Sequence, residues 1–218
     1  MTEQTTAAQT TTAQPATAAP AAVASRAKLG TRDYILIGVY AALYFVLIAI
    51  AAAVVQPLPF GMPFMGFACG ILGGVPYMLT LTKSRRFGAV TILGVLLALL
   101  MGVIHGNVYT IVTAVAASVI ADLIARTGDY RRISLNVLSA GVFNLWNLGL
   151  FLPFYIGRND YLAAMVAKKG ETATAQMAGL FPAWMLPVLV VLGVIGGLIG
   201  AWIARPMMRR HFERAGLV

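Results

Sequence analysis

FGAVTILGVLLALLMGVIHGNVYTIVTAVAASVIA, residues 87–121, runs for 35 positions without an Asp, Glu, Lys or Arg. A helix crossing a bilayer needs roughly 20 apolar residues. The run is therefore too long for one crossing and long enough for two. The polar triplet His105-Gly106-Asn107 falls near its middle and supplies a turn. The stretch reads as a helical hairpin with spans over 88–104 and 108–125.

The same reading extends outward. An uncharged run over 34–55 is closed by Gln56-Pro57-Leu58-Pro59, and a second over 64–82 stops at Lys83, Arg85 and Arg86. Two more cover 133–156 and 182–204. The expected fold is an all-α, integral membrane bundle of six transmembrane helices over 34–204. Composition agrees: 60% of residues are hydrophobic and 11% charged, against about 25% charged in soluble proteins. Residues 1–33 differ, being rich in Thr, Ala, Gln and Pro from Thr2 to Ala24. Such a segment buries too little surface to offset its chain entropy and reads as a disordered tail. It lacks the basic-then-apolar pattern of a signal peptide. Residues 205–218 read as a basic tail.

The net charge of +9 is not a nucleic-acid signature, because the basic residues stand at the ends of apolar runs. Thirteen of them fall in the two tails and in the gaps after spans two and four. Only Arg158, Lys168 and Lys169 fall on the other side. The positive-inside rule then places both termini in the cytoplasm. Cys69 stands alone inside an apolar segment, which excludes an internal disulfide and a cysteine-based zinc site.

The acidic residues bound the chemistry. Of seven, only Asp122 lies within a span, near its cytoplasmic end, where Arg126 four residues on is its expected partner. A proton-driven carrier wants an ionisable group at depth, and metal-assisted chemistry wants clustered carboxylates or histidines. The chain has neither pattern, nor a phosphate-cradling Gly-x-x-x-x-Gly-Lys-Ser/Thr loop. It is not expected to be an enzyme or to hold a cofactor or metal, and any uphill transport draws its energy from a partner.

Small residues recur at helix-packing spacing: Ala49 and Ala53, Gly66, Gly70 and Gly74, Gly193 and Gly197, and Gly196 and Gly200. A spacing of four lets backbones approach closely. In spans two and six this points to packing inside the bundle. In the first span, internal packing and the docking of a partner fit Ala49 and Ala53 equally.

Asn144 and Asn147 lie three apart on the fifth span with Trp146 between them. An unpaired amide in hydrocarbon costs several kcal/mol, so the pair either bonds across helices or faces a polar cavity. On the outer side sit His105, Asn107, Tyr109, Phe60, Phe64, Tyr155 and Trp184. Singly these rings fit an interfacial belt. With the amides they outline a substrate pocket for a small, flat, polar molecule. No Arg or Lys stands at depth there, which disfavours a strongly anionic ligand, although Arg158, Lys168 and Lys169 in the outer loop can still reach an acidic group.

Arg32-Asp33-Tyr34 leads into Ile37-Gly38-Val39-Tyr40-Ala41-Ala42-Leu43-Tyr44-Phe45, and the segment from Asn144 to Tyr155 carries Asn-Leu-Gly and Leu-Pro elements. With six spans, no ATPase motif and an alanine face on the first helix, the chain resembles the S-components of energy-coupling-factor (ECF) transporters, most nearly the MptD-type S-components, over residues 30–210. The resemblance implies a subunit that binds a vitamin-like nutrient from outside, closed over by the loops between helices one and two and between five and six. It implies association with a membrane T-component and two cytoplasmic ATPases, with Ala49 and Ala53 in the docking face, in a bacterial-type plasma membrane. The alternative is a structural or assembly membrane protein without a small ligand. A membrane enzyme and a passive channel rank below both, since no catalytic cluster, charged ring or filter-like repeat is present.

Overall fold

The computed structural model describes residues 29–214, with side chains described to residue 206. The expected tail over 1–33 therefore lies, up to residue 28, outside the described residues, and Thr31, Arg32 and Asp33 already belong to the first helix. The described residues form helices, joined by turns, and no strand. In chain order they are α1 (Thr31–Val55), α2 (Gly61–Ser84), α3 (Ala89–His105), α4 (Val108–Thr127), α5 (Ile133–Phe143), α6 (Leu148–Phe151), α7 (Arg158–Lys169), α8 (Glu171–Gly179) and α9 (Met185–Arg214). Single turns of 3-10 helix at Asn144–Asn147 and Leu152–Phe154 make α5 and α6 one interrupted rod.

Five stretches are long and apolar enough to cross a membrane: Thr31–Val55, Gly61–Ser84, Val108–Thr127, Ile133–Phe154 and Met185–Pro206. Helix α3 is apolar but has 17 residues, about 25 Å at the helical rise. The expected six spans are thus five of crossing length and one shorter apolar helix. The expected basic tail after residue 204 is instead a continuation of α9 as far as Arg214.

Local chemistry fixes the helix ends. Asp33 Oδ2 accepts from the Gly30 N–H at 2.9 Å and from Arg86 at 3.1 Å. One carboxylate so stabilises the N-terminus of α1 and pins it to the α2–α3 link. Pro57 and Pro59 follow the end of α1, where an X-Pro step disfavours helix. Gly106 adopts φ 58° after α3, and the Asn107 side chain then caps α4 by accepting from the Tyr109 N–H at 2.9 Å. Arg32, Arg85, Arg86, Arg126, Arg131 and Arg132 gather at one end of the bundle, called here the basic end.

Helix α2 is the axis of the bundle, packed between α1 and α9 and touching α5. Its contact with α9 is backbone on backbone. Gly70 faces the backbone of Gly196 and Gly197, Gly74 faces Gly200 and Ala201, and Gly196 faces Phe67. Gly197 in turn faces Ala140 and Gly141 of α5. The glycines that sequence spacing assigns to internal packing are used in this way. Helix α1 is the least buried of the crossing helices. It turns Ile37, Tyr44, Ile48 and Ala51 inward and leaves Ala49 and Ala53 exposed.

The basic end holds a buried carboxylate. Asp122 does not take Arg126 as its partner, as its spacing led us to expect. Its Oδ2 accepts from the Gly88 N–H (2.8 Å), the Thr91 N–H (3.1 Å) and the Thr91 hydroxyl (2.9 Å), and its Oδ1 from the Tyr130 hydroxyl (2.8 Å). Asp122 is fully buried, and the N-terminus of α3 offers it aligned N–H donors that a flexible guanidinium cannot match without its own desolvation. Arg126 instead lies over the Phe87 ring at 5.1 Å.

Candidate functional site

The residues expected to form one pocket occupy three places. The first is a dry junction of α2, the α5–α6 rod and α9. Asn144 Nδ2 donates to the carbonyls of Gly66 (2.8 Å) and Gly193 (2.7 Å). Gly70 makes room for this amide, since a methyl group there would lie 2.6 Å from Asn144 Nδ2. Asn147 Nδ2 donates to Asn144 Oδ1 (3.1 Å) and to the Asn144 carbonyl (3.2 Å). Trp146 is buried, and its indole N–H donates to the Tyr44 hydroxyl of α1 at 3.0 Å. Tyr44, which meets Phe143 edge-on at 5.7 Å, was missed in the sequence. Its only signal is its place on the inward stripe Ile37, Tyr44, Ile48, Ala51.

The second place is the α3–α4 turn. His105 is exposed, and its Nδ1 donates to the Met101 carbonyl at 3.1 Å. Asn107 uses both halves of its amide: beyond capping α4, Nδ2 donates to the Gly149 carbonyl at 2.8 Å. The Thr113 hydroxyl lies 3.1 Å from the Trp146 carbonyl. The Asn107 side chain therefore serves a carbonyl that the interrupted rod leaves open, whereas the one Thr113 hydroxyl hydrogen has a nearer acceptor in the Tyr109 carbonyl of its own helix, at 2.8 Å. Tyr109 is half-buried beside them. Thr113 was also missed, although Asn107, Thr110 and Thr113 recur at helical spacing on one face.

The third place is a groove of about 420 Å³ at the end of the bundle opposite the basic end. Phe60, Pro63 and Phe64 form one wall, and Leu180, Pro182, Trp184, Met185, Val188 and Leu192 the other. Phe60, Phe64 and Trp184, from the expected pocket, thus share a site, and every residue on its walls is apolar or glycine. The amides and the imidazole do not line it. The single polar pocket is replaced by an apolar groove beside a sealed amide junction, because glycine carbonyls and the open rod carbonyls take up the amide donors.

Helices α7 and α8, in what the sequence reads as the outer loop, form a flap over this end. Phe181 is buried between Phe151 (5.2 Å) and Phe154 (4.4 Å), and Tyr161 meets Phe154 edge-on at 5.0 Å. Arg158 donates to the carbonyls of Phe154 (2.8 Å), Phe181 (3.0 Å) and Ala178 (3.1 Å). Its guanidinium is a staple rather than a cation waiting for an acidic ligand. Tyr155 lies behind the linker, its hydroxyl 3.4 Å from the Pro182 carbonyl. Partial burial pushes its phenol above the ordinary range, with Arg158 pulling the other way. Replacing Arg158 with Ala removes the staple. We expect amide exchange over 171–181 to rise at least tenfold, about 1.4 kcal/mol of local stability, with exchange in α2 unchanged.

Residues 31–214 match the family described as hypothetical bacterial integral membrane protein (Trep_Strep). The chain belongs to the Trep_Strep family. No curated protein and no solved structure matches it. The matched Trep_Strep segment begins at the first residue of α1 and ends at the last of α9, so the family is defined on the helical bundle itself. With five helices of crossing length, this Trep_Strep protein is a multi-pass bacterial membrane protein.

Proposed function

We propose that the chain is the substrate-binding and translocation subunit of an ATP-driven ECF-type importer for a small organic nutrient. In this reading six helices cross the membrane, α3 included, and the basic end with both termini faces the cytoplasm. The apolar groove then opens outward under the α7–α8 flap. A T-component and two ATPases supply the energy, and the chain does no chemistry of its own.

The observation that carries this reading is the outer face of α1. Gly38, Ala42, Ala49 and Ala53 are all exposed and fall within about 60° of one another on the helical wheel. The small residues of α2 and α9 are used inside the bundle, whereas these are left on the surface, with Val39, Val46, Ile50 and Val54 exposed alongside. A smooth strip of this kind lets a partner helix approach closely.

The test is gentle affinity capture of the tagged chain from cross-linked native membranes, followed by mass spectrometry. Two ATPases and a second polytopic protein are expected with the wild type. The Ala49→Leu/Ala53→Leu variant, which adds bulk only to exposed positions, is expected to fold and to lose them. Capture of no ATPase, or equal capture by the variant, overturns the proposal.

One observation favours the alternative, an assembly protein without a ligand: both Asn144 amide hydrogens go to carbonyls of neighbouring helices. In that case unrelated membrane proteins co-purify instead.

A further inference from the structure

Helices α1 and α3 start side by side at the basic end and run the same way. Asp33, in the first turn of α1, holds Arg86 at 3.1 Å. A methyl group on Gly88, the residue before α3, would meet Leu29, just ahead of α1, at 3.2 Å. The two helices pack together. Yet α1 has 25 residues and α3 has 17, so at the helical rise α3 stops about 12 Å short of its neighbour. Its partner in the hairpin, α4, turns back at the same low level. Asn107 bonds the Gly149 carbonyl, while the rod continues to Phe154 and the flap stands beyond it. The α3–α4 hairpin is a low flank on an otherwise tall bundle.

The flank is apolar up to its tip and then abruptly polar. Leu99, Leu100, Val103 and Ile104 of α3 and Val108 and Val112 of α4 are exposed, Val103 to 84%. Between them stand His105, Gly106 and Asn107. His105 Nδ1 donates to the Met101 carbonyl, which leaves Nε2 as an acceptor, and the last turn of a helix ends in carbonyls without intrahelical partners. Such groups are costly in hydrocarbon. The 17 residues of α3 reach about 25 Å, against a hydrocarbon core of about 30 Å. At the basic end the exposed Arg85, Arg131 and Arg132 can extend back to the headgroups. At the tip an imidazole and a glycine cannot, and the longer crossing helices hold the bundle where it is.

Resting on the reading that α3 crosses the membrane, we infer that the bilayer gives way instead: its outer face is depressed along the α3–α4 flank, and polar lipid headgroups descend to His105. A short apolar element thins the bilayer beside it. Here the thinning is confined to one side of the protein, because α1 and α2, with 25 and 24 residues, are long enough for the full core. Height within the bundle supplies a direct comparison. Val46, exposed on α1, and His105 each lie about four turns from the start of their helices. At one height, hydrocarbon faces Val46 and headgroups face His105.

The experiment uses the full chain in dioleoylphosphatidylcholine vesicles, with one cysteine added at a time at an exposed position and the buried Cys69 as a silent background. A charged, membrane-impermeant methanethiosulfonate is added outside. His105→Cys is expected to react within about tenfold of Asn159→Cys on the flap and about a hundredfold faster than Val46→Cys, because a charged reagent does not enter hydrocarbon. Val108→Cys, at the first residue of α4, is the second probe should His105→Cys disturb the turn. Leu99→Cys, lower on the flank, is expected to be as slow as Val46→Cys. A lipid carrying a nitroxide on its headgroup is expected to quench a dye on His105→Cys several-fold more than one on Val46→Cys. Tip cysteines as slow as Val46→Cys overturn the inference. Fast reaction without quenching means a water-filled cleft in place of headgroups and overturns it too. Fast reaction at Leu99→Cys means that α3 does not lie in the membrane, and then the reading beneath the inference falls with it. Slow tip cysteines beside a slow Leu99→Cys sink the inference alone.

Discussion

Gly74→Ala is expected to lower the stability of the bundle by about 3 kcal/mol or more. The added methyl would lie 2.6 Å from Gly200 Cα and 2.5 Å from the Ala201 nitrogen. Both are backbone atoms of α9, so no side chain can rotate out of the way and the two helices must separate. Separation also loosens Gly70 from Gly196 and Gly197, and with them the carbonyls that hold Asn144. Gly38→Ala on α1 is the matched control, because nothing lies within 4 Å of the added methyl. It is expected to be neutral or to stabilise by up to about 1 kcal/mol through helix propensity. The chain carries its own reporter: Cys69 is its single cysteine and is 3% exposed. The thermal midpoint of its reaction with a thiol-specific dye measures unfolding in each variant. A wild-type midpoint for Gly74→Ala would mean that α2 and α9 do not meet as described.

Asp122→Ala is expected to cost about 3–5 kcal/mol by the same readout. The change strands the N–H groups of Gly88 and Thr91 and the hydroxyls of Thr91 and Tyr130 in a buried site. It also releases a turn that is costly to hold, since Asp129 (φ 49°) and Tyr130 (φ 58°) are consecutive left-handed residues without being glycine. That turn is kept in place by the Tyr130 hydroxyl on Asp122 and by Asn136 Nδ2 on the Tyr130 carbonyl (3.0 Å). Asp122→Asn keeps the shape but turns two hydrogens toward a ring of donors, and an intermediate loss is expected. If Asp122 carried a proton during transport, Asp122→Asn would keep the wild-type midpoint and lose only uptake. The two roles are therefore separable with one pair of variants.

The helical, membrane-embedded character of the chain is legible in its sequence because it depends on neighbours. An uncharged run, a Gly-Asn pair after His105 and glycines spaced by four each act within a turn or two of helix. What the sequence does not expose is long-range pairing. Asn144 bonds to a carbonyl 78 residues away, and Trp146 to a hydroxyl 102 residues away. No spacing rule links such positions. Asp122 misleads for a related reason: Arg126 is its neighbour along the helix, but the aligned donors at the start of α3 are its neighbours in space. Phe60, Phe64 and Trp184 are brought together in the groove, whereas the amides and His105 are not. Their deployment depends on which backbone carbonyls glycines and 3-10 turns leave open, and only the folded backbone settles that. The α7–α8 flap was faint because its apolar anchors, Phe151, Phe154 and Phe181, straddle two segments that look like separate loop ends.

The glycine seam between α2 and α9 also has a mechanical meaning. Most helix pairs touch through side chains, which can change rotamer and let one helix slide past the other. Here the surfaces are main chain, with nothing to bend. A push on one helix passes to the other without slack, and α5 is drawn in through Gly197. The bundle thus behaves as a stiff body, with the flap stapled to one end of it. Tilting in the bilayer as a whole costs it no internal contacts, whereas shearing along the seam would break it apart.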